Sequence, residues 1–206
     1  MGFGLCVLGY LLIIFDSFYA GVFGWPILAW GFFKLGKVRR SFYAASALCA
    51  VCTLYSACEL LELAKVITLD KTGELYFALH LAYILLGAGI HLIYLLSVRD
   101  IAAEGGDMKI AMNALAWLAF TELYYALCLI SAYIVKGGAT GSEFAQIAGN
   151  VTIVMKYLIG FTNLWFLYGC YTKITTVSQM EKDEAALRKI EEKEAQKRRK
   201  RDKEQK

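Results

Sequence analysis

Four stretches of this chain are each long and apolar enough to cross a lipid bilayer as one helix, and they constrain its fold more than any other feature. They run roughly from Ser41 to Val66, Leu75 to Val98, Lys109 to Val135 and Ala145 to Tyr171. At 1.5 Å per helical residue, each covers a hydrocarbon core of about 30 Å. Hydrocarbon offers no water to a bare backbone, so a helix that satisfies its own N–H and C=O groups is the form such stretches take. The chain is 58% hydrophobic and holds a single Pro, against about 45–50% apolar residues in soluble domains. The predicted fold class is therefore all-α, a polytopic transmembrane helix bundle.

The segment from Phe3 to Leu35 is too long for one ordinary span and marginal for two. Asp16, Pro26 and several glycines interrupt it. One reading is a tight helical hairpin over 3–35 that turns near Asp16 to Ala20, giving six helices. The alternative has five spans: Phe3 to Phe23 crosses, the chain breaks at Gly24-Trp25-Pro26, and Ile27 to Leu35 lies on the interface as a short helix. No basic region precedes Phe3 and no Ala-x-Ala pattern follows it, so a cleaved signal is not expected.

Charge sets the expected orientation. Residues 1–172 carry ten Lys/Arg and ten Asp/Glu, and residues 173–206 carry twelve and eight, so the whole net charge of +4 resides in the tail. Lys34, Lys37, Arg39 and Arg40 cluster in one connection, Arg99 and Lys109 flank another, and Lys173 opens the tail. Under strict alternation these share one side, leaving Lys65, Lys71 and Lys136 for the other. The clustered side is expected to be cytoplasmic. Both termini then lie inside with six helices, and the N-terminus lies outside with five spans.

The opening Gly2-Phe3-Gly4-Leu5 with Gly9-Tyr10-Leu11, followed by an apolar segment ending Phe33-Lys34-Leu35, resembles small multi-spanning membrane proteins of low-GC Gram-positive bacteria. The likeness covers the first forty or so residues. It favours the hairpin, and hence six helices, and implies no function.

Polar residues inside the spans fall into rows. Steps of three or four place side chains on one helix face. Cys52, Tyr55, Glu59 and Glu62 form one such row, and Tyr76, His80, Tyr83, Gly87, His91 and Tyr94 a second. Thr152, Lys156, Gly160 and Asn163 form a third, and Glu122 stands near the middle of its helix beside Thr121 and Tyr125. An ionisable group at a span centre costs about 2.5–3.5 kcal/mol on insertion scales, so each of these asks for a partner, water or an escape to the interface.

Two expectations follow. In one, the rows meet around a polar cavity, with Glu59, Glu62 and His80 at similar depth in the outer half, Glu122 near Lys156 at mid-depth, and His91 and Asn163 among its candidate lining. In the other, the same groups hydrogen-bond across helices as packing, and Glu122 and Lys156 neutralise each other.

Other patterns carry less. The six cysteines, Cys6, Cys49, Cys52, Cys58, Cys128 and Cys170, all fall in apolar segments, where free Cys behaves as a small hydrophobe. Cys49-Ala50-Val51-Cys52 has redox spacing without the βαβ setting or second pair that such chemistry or zinc requires. Glu59 and Glu62 lack the Glu-x-x-His partners of di-iron bundles. No catalytic residues, metal site or cofactor are expected. Trp25, Trp30 and the tyrosines near helix ends suit interfacial anchoring.

The tail, 173–206, is rich in Glu, Lys, Arg and Ala, and is predicted to be a charged cytoplasmic helix. Its run Lys197-Arg198-Arg199-Lys200-Arg201 fits a topological anchor or a contact with anionic lipid. No nucleic-acid partner is expected.

The connections between spans are too short to hold a soluble domain. The function these features favour is a membrane-embedded binding, sensing or accessory protein acting on a small ligand, a protein partner or a second copy of itself. A proton- or ion-linked transporter of small solutes is the alternative.

Overall fold

The computed structural model describes residues 2–15, 19–68, 70, 73–137 and 143–173, and the backbone alone of 174–204. Six helices follow one another: α1 (Gly2–Ile14), α2 (Gly21–Leu35), α3 (Ser41–Leu63), α4 (Glu74–Glu104), α5 (Met108–Lys136) and α6 (Glu143–Glu204). The described residues form no strand. Four segments are long and apolar enough to cross a membrane: Ser41–Leu63, Glu74–Glu104, Met108–Lys136 and Glu143–Lys173. The chain divides into two compact units, Met1–Tyr168 and Gly169–Lys206.

The N-terminal segment is a hairpin. Its break falls before Gly21, where Tyr19 takes φ +58°, and not at Gly24-Trp25-Pro26, which lies within α2. Asp16, the start of the expected turn, lies outside the described residues. Pro26 removes one donor from the ladder of α2, yet the helix carries on to Leu35.

The two arms are held together by glycines. A Cβ on Gly9 would lie 2.6 Å from the backbone nitrogen of Leu28, and one on Gly31 would lie 2.6 Å from Cys6 Sγ and 2.9 Å from its backbone nitrogen. Only glycine permits this approach, the small-residue route to helix association where burial alone gives no drive.

With 13 and 15 residues, the arms are about 20 and 22 Å long, well short of a hydrocarbon core. By contrast α3, with 23 residues, is about 34 Å long.

Both open ends of the hairpin lie at one end of the bundle, here called the Arg39 end. Phe32 stacks on Phe42 with centroids 5.8 Å apart and meets Tyr94 at 5.9 Å, while Phe3 meets Phe42 edge-on. These rings join α1, α2, α3 and α4 in one apolar core, with Phe42, Leu95 and Val98 fully buried. Ser41 and Ser97 share a 2.6 Å hydrogen bond between α3 and α4.

The Arg39 guanidinium, in the connection from α2 to α3, donates to Asp100 at 2.6 Å and to Glu104 at 2.9 Å, and Arg99 also pairs with Asp100. Gly106 closes the turn from α4 to α5 at φ +78°, a conformation that costs glycine nothing. Asp107 then caps α5 by accepting from the Ile110 N–H at 3.0 Å.

At the opposite end, called the Lys136 end, Lys136 pairs with Glu74 at 2.7 Å and lies over the Phe77 ring. Phe77 meets Tyr133 edge-on. These contacts fasten the start of α4 to the finish of α5.

The hairpin does not reach this end. Its contact with α4 nearest the tip is Trp25 against Tyr83, and α4 continues beyond Tyr83 to Glu74, about 13 Å more.

The second unit is helical in its described backbone to Glu204, as expected from its composition. The side chains of Lys197, Arg198, Arg199, Lys200 and Arg201 lie outside the described residues.

Candidate functional site

Where the hairpin stops, the remaining helices surround a space. A cavity of about 800 Å³ lies against Ile13 and Ile14 of α1 and Trp25 of α2, within the first unit. That volume is in the range of pockets that enclose drug-sized molecules. Tyr10, Ile13 and Ile14 of α1 and Trp25 of α2 form its floor. α3 contributes Tyr55 and Glu59, and α4 contributes the face from Tyr76 through His80, Tyr83 and Gly87 to His91. On the other side, α5 supplies Tyr124, Tyr125, Cys128, Ser131 and Lys136, and α6 supplies Thr152, Lys156 and Gly160.

At the floor lies a polar network, whose Tyr10, His91, Thr121 and Tyr125 also line the cavity. His91 Nδ1 is 2.8 Å from the Gly87 carbonyl, which can only accept, so this nitrogen carries the proton. The Tyr125 oxygen lies 3.0 Å from the same nitrogen and shares that proton. His91 Nε2 is then an acceptor and takes the Tyr10 hydroxyl proton at 2.7 Å. The Tyr10 oxygen accepts in turn from Asn163 Nδ2 at 3.3 Å, and the same amide donates to Thr121 Oγ1 at 3.1 Å.

His91, Asn163 and Thr121 are all buried. The network joins α1, α4, α5 and α6, and uses neutral groups throughout. Most of its buried polar atoms are paired, as burial requires, while Asn163 Oδ1 has no hydrogen-bond partner among the described residues.

The wall above is different in character. Tyr55 stacks on Tyr83 at 4.4 Å, Tyr76 stacks on His80, and the Tyr83 hydroxyl accepts from Trp25 Nε1 at 3.1 Å. The Tyr55 hydroxyl lies 3.2 Å from His80 Nδ1. A band of aromatic faces thus lines α3 and α4, with Glu59 one turn beyond Tyr55. Lys156 stands on α6 on another side of the cavity, and the Lys136–Glu74 pair stands at the rim.

Of the residues singled out from the sequence, Glu59, His80, His91 and Lys156 come together on this cavity. Three others do not join its lining. Glu62 is half-buried at the finish of α3, past the lined face. Asn163 lies one turn below Gly160, fully buried in the network at the floor.

Glu122 is absent from the cavity lining that includes Lys156. One residue is about 100° of helix rotation, and α5 turns the neighbouring Thr121 and Tyr125 inward. The Glu122 Oε1 is buried with no hydrogen-bond partner among the described residues.

Trp25 also departs from expectation. It is 3% exposed and bonded to Tyr83, so it is a floor residue of the cavity and no interfacial anchor. Trp30, by contrast, is 57% exposed.

Sequence reading missed Tyr10, Trp25, Tyr124, Ser131 and Lys136 as lining residues. Tyr124, Cys128, Ser131 and Val135 step by four, three and four along α5, a signal that was present but mixed small, aromatic and apolar types.

Among the described residues, no group of three or more His, Cys, Asp and Glu side chains is arranged to hold a metal ion. No family model, curated protein or solved structure matches this chain.

Proposed function

We propose that this chain is an integral membrane protein that binds a small molecule in the cavity against its hairpin, as a sensing or accessory component. The observation that carries this reading is the cavity itself: about 800 Å³, aromatic on one side, with a few charged groups on its wall and a neutral polar network at its floor. Binding sites for organic molecules combine these features.

In this reading α3, α4, α5 and the first part of α6 cross the bilayer and the hairpin enters from the cytoplasmic side. The basic residues Lys34, Lys37, Arg39, Arg40, Arg99 and Lys109 gather at the Arg39 end, which supports a cytoplasmic location for it. The cavity then faces the outer leaflet. The tail is cytoplasmic, with Lys197–Arg201 near anionic lipid.

Native mass spectrometry of the protein extracted in mild detergent tests the reading. Wild type should retain a small molecule, or bind an environment-sensitive apolar dye, and Ala132→Phe should lose it, because Ala132 of α5 lines the cavity and the added ring enters it. Equal dye binding by both proteins, with nothing retained by either, would refute it.

A second reading, a small-solute transporter, is favoured by one observation: a helical break that ends inside the bundle beside the cavity, the kind of discontinuity transporters place at their sites. Uptake into proteoliposomes separates the two, since a binding component accumulates no solute.

A further inference from the structure

We infer that the ligand of this cavity is zwitterionic, a compact apolar or aromatic body bearing both an ammonium and an acid group; the inference rests on the binding reading above. Its basis is the placement of charge. Among the lining residues, Glu59 of α3 supplies one negative group and Lys156 of α6 one positive group, from helices on different sides of the space. The other lining charge, Lys136, is matched at the rim by Glu74. The lining therefore carries both signs, on different helices.

Each pole has a setting suited to one end of such a molecule. Glu59 lies one turn from Tyr55, whose ring stacks on Tyr83, and Tyr76 lines the same side. Ring faces and a carboxylate together attract an ammonium. Lys156 offers an ammonium of its own to an acid group, as a point charge on a flexible stem.

A singly charged ligand brings net charge into an enclosure where charge is poorly solvated, and it complements only one pole. A zwitterion adds none and complements both. The aromatic remainder of the wall accepts an apolar body. Two sources share this chemistry: a free amino acid with an apolar side chain, and the zwitterionic headgroup of a lipid.

The test uses the full-length protein in a maltoside detergent, which carries no charge. Affinities are measured for L-phenylalanine, for 2-phenylethylamine, which lacks the acid, for 3-phenylpropionate, which lacks the ammonium, and for dihexanoylphosphocholine below its micellar concentration. One of the two zwitterions is expected to bind at least about tenfold more tightly than either singly charged analogue. Preference for phenylalanine identifies a free solute, and preference for the phosphocholine identifies a lipid headgroup.

Glu59→Gln should erase the zwitterion's advantage over 3-phenylpropionate, and Lys156→Met its advantage over 2-phenylethylamine. The inference is overturned if a singly charged analogue matches the better zwitterion, if neither zwitterion binds, or if both folded variants leave the ranking unchanged. The wild-type ranking decides the matter even where a variant does not fold. Dye binding blocked by Ala132→Phe, with no zwitterion advantage, removes this inference and leaves the binding reading in place; dye binding indifferent to that variant removes both.

Discussion

His91 is bonded through both ring nitrogens, to Tyr10 of α1 on one side and to Gly87 and Tyr125 on the other. Tyr10→Phe removes the donor to Nε2 and the acceptor of Asn163 in one step. The expected loss is about 1–2 kcal/mol of stability, read by unfolding in mixed micelles, since buried polar groups left without partners carry that order of cost. A variant as stable as wild type would show that the network closes the floor without holding the helices. At this scale the sequence was legible where a residue type repeats at helical spacing. Tyr76, His80, Tyr83, Gly87 and His91 step by four, three, four and four, and all line the cavity. It was illegible for Trp25, because an indole at the head of a short helix serves an interface or a floor equally well until the partner, Tyr83, is known. That Glu122 does not line the cavity was illegible for a related reason: depth along a helix is readable from sequence, but rotation between neighbouring helices is not.

Among the elements, the hairpin depends most on single positions. Gly31→Leu must displace Cys6, side chain and backbone together, and should cost about 1–3 kcal/mol or separate the arms. The measurement is thermal unfolding together with protease cleavage near residues 15–20; unchanged resistance would mean the arms pack with room to spare. The connection from α2 to α3 is held differently, by Arg39 against Asp100 and Glu104. These groups are partly open to solvent, so Asp100→Asn should lower stability by less than about 1 kcal/mol while making the connection over 36–40 measurably more open to proteolysis. The helices themselves were readable because apolar length and charged or glycine-containing breaks coincide, as at Gly105-Gly106-Asp107. The hairpin's bounds were less so, because Pro26 looks like a stop and instead lies inside α2.

For the molecule as a whole, the proposed orientation makes a direct prediction. Cysteines introduced at Val38 and Gly106 should react with a membrane-impermeant maleimide only after the cytoplasmic face is exposed, and one at Gly137 should react from outside. Measured against the wild-type thiol background, labelling of all three from the same face would sink the topology. The all-helical bundle was evident from four apolar stretches, but the cavity was not, because a void arises from what fails to be filled and no residue encodes it locally. Here the void begins where two arms of 13 and 15 residues turn back while α4 runs on past them. Arm length therefore works as a ruler for pocket depth, separately from the chemistry of the walls. One extra turn at the tip end of each arm would extend the floor by about 5 Å beyond Trp25 toward Tyr76, without altering a single wall residue. Insertions and deletions at the hairpin tip would in this way resize the chamber and change which molecules fit, while the four long helices stay as they are.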